Sequence, residues 1–92
     1  MEVRKEIIVK NRTGLHARPA AIFVQTANKY DSDITITKED QEVNGKSIMG
    51  ILMLAAEKGA NITIIAKGDD AEEAVAELSE VLLHDIEPDV VN

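Results

Sequence analysis

Two hydrophobic rhythms alternate along the chain. Val3, Lys5, Ile7 and Val9 take turns with Arg4, Glu6, Ile8 and Lys10, a period of two that predicts a half-buried strand. Asn11-Arg12-Thr13-Gly14 then turns the chain, with Gly14 able to take a positive φ. Beyond it the period lengthens. Ala20, Phe23, Val24 and Ala27 recur at i, i+3, i+4 and i+7, so a helix is expected from about His16 to Lys29, ended by Asp31-Ser32-Asp33. Ile34 and Ile36 alternate with Thr35 and Thr37, a polar turn runs from Lys38 to Asp40, and a short strand returns from Gln41 to Val43; this is a hairpin.

After Asn44-Gly45 a short helix is expected from Ser47 to Glu57, with Gly59 at its C′ position. Ile62, Ile64 and Ala66 alternate with Thr63, Ile65 and Lys67 as a fourth strand. Gly68-Asp69-Asp70 opens a last helix, where Asp69 with Glu72, or Asp70 with Glu73, suits a capping box. Its inward face is Ala71, Ala74, Val75, Leu78, Val81 and Leu82, out to about His84. The order β-α-β-β-α-β-α, with short hairpin spacing and three amphipathic helices that need one shared apolar surface, predicts an α+β fold: a four-stranded antiparallel sheet with all three helices on one face.

Length and composition narrow the picture. Ninety-two residues suit one domain, 1–92. With 45% hydrophobic residues but only one Phe and one Tyr, its core must be built from aliphatic side chains. The absence of Cys excludes disulfides and thiolate metal sites, and two widely separated histidines argue against zinc. Neither a cofactor nor a metal is expected. The charged start (Glu2, Arg4, Lys5, Glu6) and the lack of any apolar run near the roughly 18 residues a span needs predict a cytoplasmic protein with no signal peptide and no membrane insertion.

Charge adds a direction. The net charge of −7 argues against nucleic acid as a partner, since phosphate contacts need a basic face. Its distribution is uneven: from Ile7 to Tyr30 the charged residues are Lys10, Arg12, Arg18 and Lys29, with no acid, whereas from Gly68 to Asn92 there are nine acids and no Lys or Arg. A solvated acidic helix face accounts for the second segment but not for an acid-free run around a histidine.

That histidine, His16, falls between a strand and a helix. Near an N-cap it meets about half a positive charge from the aligned peptide dipoles and the unpaired N–H groups of the first turn. Such a place suits an anion. A phosphoryl group on the imidazole would bring roughly two negative charges and strong acceptor oxygens, which those amides and the Arg18 guanidinium could bind. His16 would then be a nucleophile of the covalent kind. Pro19 suits a first helical turn but disfavours helical geometry at Arg18, so irregularity is expected there.

Gly14-Leu15-His16-Ala17-Arg18-Pro19-Ala20 resembles the active-site signature of the HPr phosphocarriers of the bacterial sugar phosphotransferase system, and Asn44-Gly45-Lys46-Ser47-Ile48-Met49-Gly50 resembles the family's second signature. Both occur at the family's spacing, and the likeness covers nearly the whole chain. It implies an open-faced β-sandwich in which His16 is phosphorylated on Nδ1 by enzyme I, which draws on phosphoenolpyruvate. The phosphoryl group then passes to the IIA domains of sugar permeases, with Arg18 steadying it. Such a protein is a carrier and not an independent enzyme. The likeness also implies, for the Gram-positive type, that Ser47 is phosphorylated by an ATP-dependent serine kinase/phosphorylase for carbon catabolite control with a transcriptional regulator.

As a helix cap Ser47 needs no such role, because serine is among the best N-caps. The segment after it is more telling. From Ile48 to Ala56 every residue except Gly50 is apolar, and a helix apolar all round cannot be buried all round in a small two-layer domain. With Ile51, Leu54 and Ala55 toward the sheet, Ile48, Met49 and Leu52 form an exposed patch, expected to bind partners together with Leu15 and Ala17. His84 is expected to be a surface residue or a cation at a helix C-terminus. Gln25 stands where relatives often carry a lysine, and the acidic tail after His84 is expected to fray or fold back. Two other readings stay open: a regulator of the same fold acting through Ser47, whose known homologue lacks the histidine, and a specialised carrier signalling through partner binding.

Overall fold

The computed structural model describes residues 1–85. The period-two segments become strands β1 (Glu2–Ile8), β2 (Asp33–Lys38), β3 (Gln41–Asn44) and β4 (Asn61–Lys67). They form one antiparallel sheet in the order β1-β4-β2-β3. Register explains the core. Ile7 pairs with Ile62, Ile64 with Ile36, and Ala66 with both Val3 and Ile34, so side chains of one parity share one face. Ile65, between Arg4 and Thr35, is buried on the opposite face.

The period-3.6 segments become α1 (Ala17–Ala27), α2 (Ile48–Leu54) and α3 (Ala71–Leu83), all on the first face. Phe23 and Ala27 from α1, Ile51 and Leu54 from α2, and Leu78 and Leu82 from α3 are completely buried against Ile36, Ile62 and Ile64. Each large side chain removed from water contributes about 1.5–3 kcal/mol. The predicted α+β architecture, element for element, is the one observed. No helix of the described residues is long and apolar enough to cross a membrane.

Two local expectations fail, both because a tertiary partner outcompetes a local one. The second helix ends at Leu54, not near Glu57: Ala55 takes a left-handed C-cap (φ 51) while Lys38 Nζ donates to the carbonyls of Leu54 (3.0 Å) and Ala55 (3.2 Å). Ala55 is therefore exposed instead of turned toward the sheet as expected, and Ala56 is buried. At α3 the N-cap is Asp70, but its carboxylate makes no capping bond; it accepts instead from the amides of Asp31 (2.9 Å) and Ser32 (3.0 Å) and from the Ser32 hydroxyl. Those bonds, led by the Ser32 hydroxyl, hold the Asp70 carboxyl below its ordinary range.

Candidate functional site

Two segments converge on the turn after β1. Lys10 N–H (2.9 Å) and Asn11 N–H (3.3 Å) donate to Leu82 O in the last turn of α3, and Leu15 N–H donates to Ala56 O (2.7 Å) beyond α2. Inside the turn the buried Asn11 donates from Nδ2 to Gly14 O (2.8 Å). Gly14 has φ 67, and a Cβ there would stand 2.5 Å from Ala56 O. A side chain at this position would be strained and obstructed at once. The loop that delivers His16 is thus pinned on both sides.

His16 is the N-cap of α1, extended (φ −127, ψ 159), half-buried, and its side chain makes no capping hydrogen bond. The expected irregularity falls at Ala17, in the left-handed region at φ 49, one residue before Arg18. For a residue with a Cβ this costs about 1–2 kcal/mol. Ala17 and Arg18 are exposed and Pro19 is buried. A cavity of about 390 Å³ is lined by Arg12, Thr13, Ala17, Arg18, Pro19 and Asp85, beside His16 in the chain although His16 does not line it. Across this cavity the Asp85 carboxylate accepts from the Arg12 amide (2.7 Å) and from Arg12 Nε (3.1 Å). The Arg12 amide is the main cause of the lowered pKa of Asp85.

Leu15 is completely buried. Its side chain belongs to the core and offers no surface to a partner, which corrects the expectation for it. Buried apolar area and the Leu15–Ala56 bond together make it an anchor of the loop.

Ser47, half-buried, is the N-cap of α2, and its Oγ accepts from Gly50 N–H at 3.1 Å. The approach to it is tied to the end of α1: Asn28 Nδ2 donates to Val24 O (2.9 Å) and Lys46 O (3.2 Å), and Lys46 Nζ donates to Tyr30 O (2.7 Å). One end of α2 therefore carries Ser47, and the segment after its other end holds the His16 loop. Ile51 and Leu54 point into the core, while Ile48 (40%), Met49 (65%), Leu52 (41%) and Met53 (69%) are exposed. Met53 was not foreseen, although it lies one turn from Met49 and shares its face.

The family profile described as PTS HPr component phosphorylation site matches residues 3–83. The chain belongs to the HPr family. Among HPr relatives, the HPr-like protein Crh of Bacillus subtilis (strain 168) is 47% identical over 77 residues, covering 84% of this chain and 91% of that protein. The crystal structure of phosphocarrier protein HPr from Bacillus anthracis str. Ames superposes with a TM-score of 0.86 at 49% identity, covering 88% of this chain and 96% of that one. A crystal structure of B. subtilis Crh, described as a domain-swapped dimer, matches with a TM-score of 0.69 at 45% identity, covering 87% and 92%.

Within the HPr frame, reading the sequence missed Arg12, Asn11 and Asp85. The signal for Arg12 was present in the acid-free run; that for Asp85 was not, because only the docking of α3 on the loop brings residues 12 and 85 together. His84 is exposed, with Nε2 2.8 Å from Glu80 Oε2, in keeping with a surface residue. Gln25 is exposed on α1. The expectation that the acidic tail frays or folds back falls, beyond Asp85, on residues 86–92, which lie outside the described residues.

Proposed function

We propose that the chain, acting as one unit over residues 1–92, is a cytoplasmic phosphocarrier. It accepts a phosphoryl group on His16 from phosphoenolpyruvate through enzyme I and passes it to the IIA domains of sugar permeases. The observation that carries this reading is an N-cap imidazole that spends no hydrogen bond on its helix, with Arg18 in the first turn beside it. The ring is thereby left available to a phosphoryl donor. As nucleophile, the imidazole forms a phosphorus–nitrogen bond while the donor's bond to phosphorus breaks, and the reverse step regenerates the ring. Arg18 and the helix dipole offset the added negative charge. Ala17, with Ile48, Met49 and Leu52 and the adjoining Met53, forms the surface that successive partners share, and flexible methionines suit several partners.

Incubation with enzyme I and phosphoenolpyruvate tests this. Acid-labile phosphate is expected on the parent and absent from His16→Ala; an unlabelled parent sinks the carrier reading.

The likeness to Crh favours a second activity on the same chain, in which Ser47 is the target of the serine kinase/phosphorylase and the product serves catabolite control with a transcriptional regulator. Ser47 Oγ stands at the N-terminus of α2, where the helix dipole favours added negative charge. Labelling by ATP and the kinase should vanish in Ser47→Ala, and equal labelling of that variant refutes the assignment.

A further inference from the structure

The chain leaving α3 carries a carboxylate into the arginine-lined cavity beside His16. Because Leu82 O takes the Lys10 and Asn11 amides, the last turn of α3 and the turn after β1 form one packed unit. His84 is extended (φ −129, ψ 148), and the next residue, Asp85, falls on Arg12. One carboxylate oxygen accepts from the Arg12 amide at 2.7 Å and the other from Arg12 Nε at 3.1 Å. Arg18 lines the same cavity. A backbone amide and a guanidinium that together hold two carboxylate oxygens are the donors that also hold two oxygens of a phosphate. The occupant is displaceable: the Arg12 and Asp85 side chains are 80% and 45% exposed, and ion pairs so open to water are weak.

We propose that the Arg12 amide and guanidinium, with Arg18, form an oxyanion site for a phosphoryl group, and that Asp85 is its internal occupant, displaced when the phosphate dianion arrives. The phosphoryl group on His16 and free inorganic phosphate present the same chemistry to this site. A dianion outcompetes a monocarboxylate for the Arg12 amide and guanidinium because each Coulomb term doubles. Arg12 is then a positioning residue for the phosphoryl group, and Asp85 sets how readily the site fills. The link to phosphohistidine rests on the carrier reading above; the oxyanion site does not.

The test follows the Arg12 amide by NMR in the full chain at low ionic strength. Titration with inorganic phosphate should shift that amide. Asp85→Asn should bind phosphate about three- to fivefold more tightly than the parent, the range expected for removing an exposed ion-pair competitor. Glu72→Gln, which removes the same charge at the far end of α3, should leave the affinity unchanged, and Arg12→Gln should weaken it. An Arg12 amide unmoved by phosphate, or equal tightening by Asp85→Asn and Glu72→Gln, overturns the site. In a second arm, phosphorylation through enzyme I should move the same amide in the same direction. Free phosphate shifting Arg12 while phosphohistidine does not overturns the link to His16. Failure of His16 to label at all refutes the carrier reading alone and leaves the titration to decide the site.

Discussion

At the N-terminus of α3 the Asp70 carboxylate leaves its own helix to clasp Asp31 and Ser32, whereas at the N-terminus of α1 the His16 ring makes no capping bond. Both helices follow a glycine of positive φ jammed against a neighbour, Gly68 (φ 152) against Ser32 and Gly14 (φ 67) against Ala56 and Glu57. Their backbones are fixed by similar means, but their side chains are used differently. One N-cap locks a loop to the fold. The other is held in place by its loop and keeps its side chain uncommitted, with strain at Ala17 as the accompanying cost. The α2 N-terminus, where Ser47 caps locally, shows what either could have been.

The largest way to break this contrast is Gly14→Ala. Positive φ and backbone 2.5 Å from the new Cβ should cost about 2–4 kcal/mol in urea unfolding, and a near-neutral result would mean that the His16 loop is not pinned. Ser32→Ala removes the hydroxyl held by Asp70 inside the fold and should cost about 1 kcal/mol. Ala17→Gly should instead stabilise, by about 0.5–1 kcal/mol, since it relieves the left-handed residue while loosening the unfolded chain. His16→Ala should change stability by no more than about 0.5 kcal/mol. A larger loss by thermal unfolding would show that the imidazole is structural after all.

The smallest effect is one of pH. Lys29 first, and Tyr30 second, hold the Glu77 carboxyl below its ordinary 4.5 by hydrogen bonds from the segment after α1 to α3. A depressed folded pKa means the contribution is complete above 4.5 and is lost as pH falls through the lower folded value. Glu77→Gln should therefore lower the neutral plateau slightly and converge with the parent in acid, flattening the loss of stability below pH 4.5, as followed by melting temperature against pH. The same contact pushes Tyr30 up to about 12, because its hydroxyl donates to that carboxylate.

The charge asymmetry gains its meaning from these contacts. The cations of the acid-free run and the acids of the last segment meet in space, Lys29 on Glu77 and Arg12 on Asp85. From sequence, the run marked the His16 surroundings but not the pairing, since residues 12 and 85 become neighbours only through the docking of α3. Leu15 shows the opposite limit: adjacency to His16 suggested a partner contact, yet an apolar side chain beside a pinned loop goes to the core. The helix patch was legible because nine consecutive positions with one interruption leave a two-layer protein no way to hide both faces.

What the sequence determined by itself was which elements form and which face of each turns inward, because period and parity are properties of the local backbone and of solvent exclusion. It also located His16 at a helix start and Ser47 at another. What only the tertiary structure decided was where polar side chains spend their hydrogen bonds. Lys38 ending α2, Asp70 clasping Ser32, and Asp85 lying on Arg12 all depend on groups far apart in the chain. The physical reason is that a hydrogen bond needs its partner within about 3 Å and in line, so partners far apart in the chain are chosen by packing.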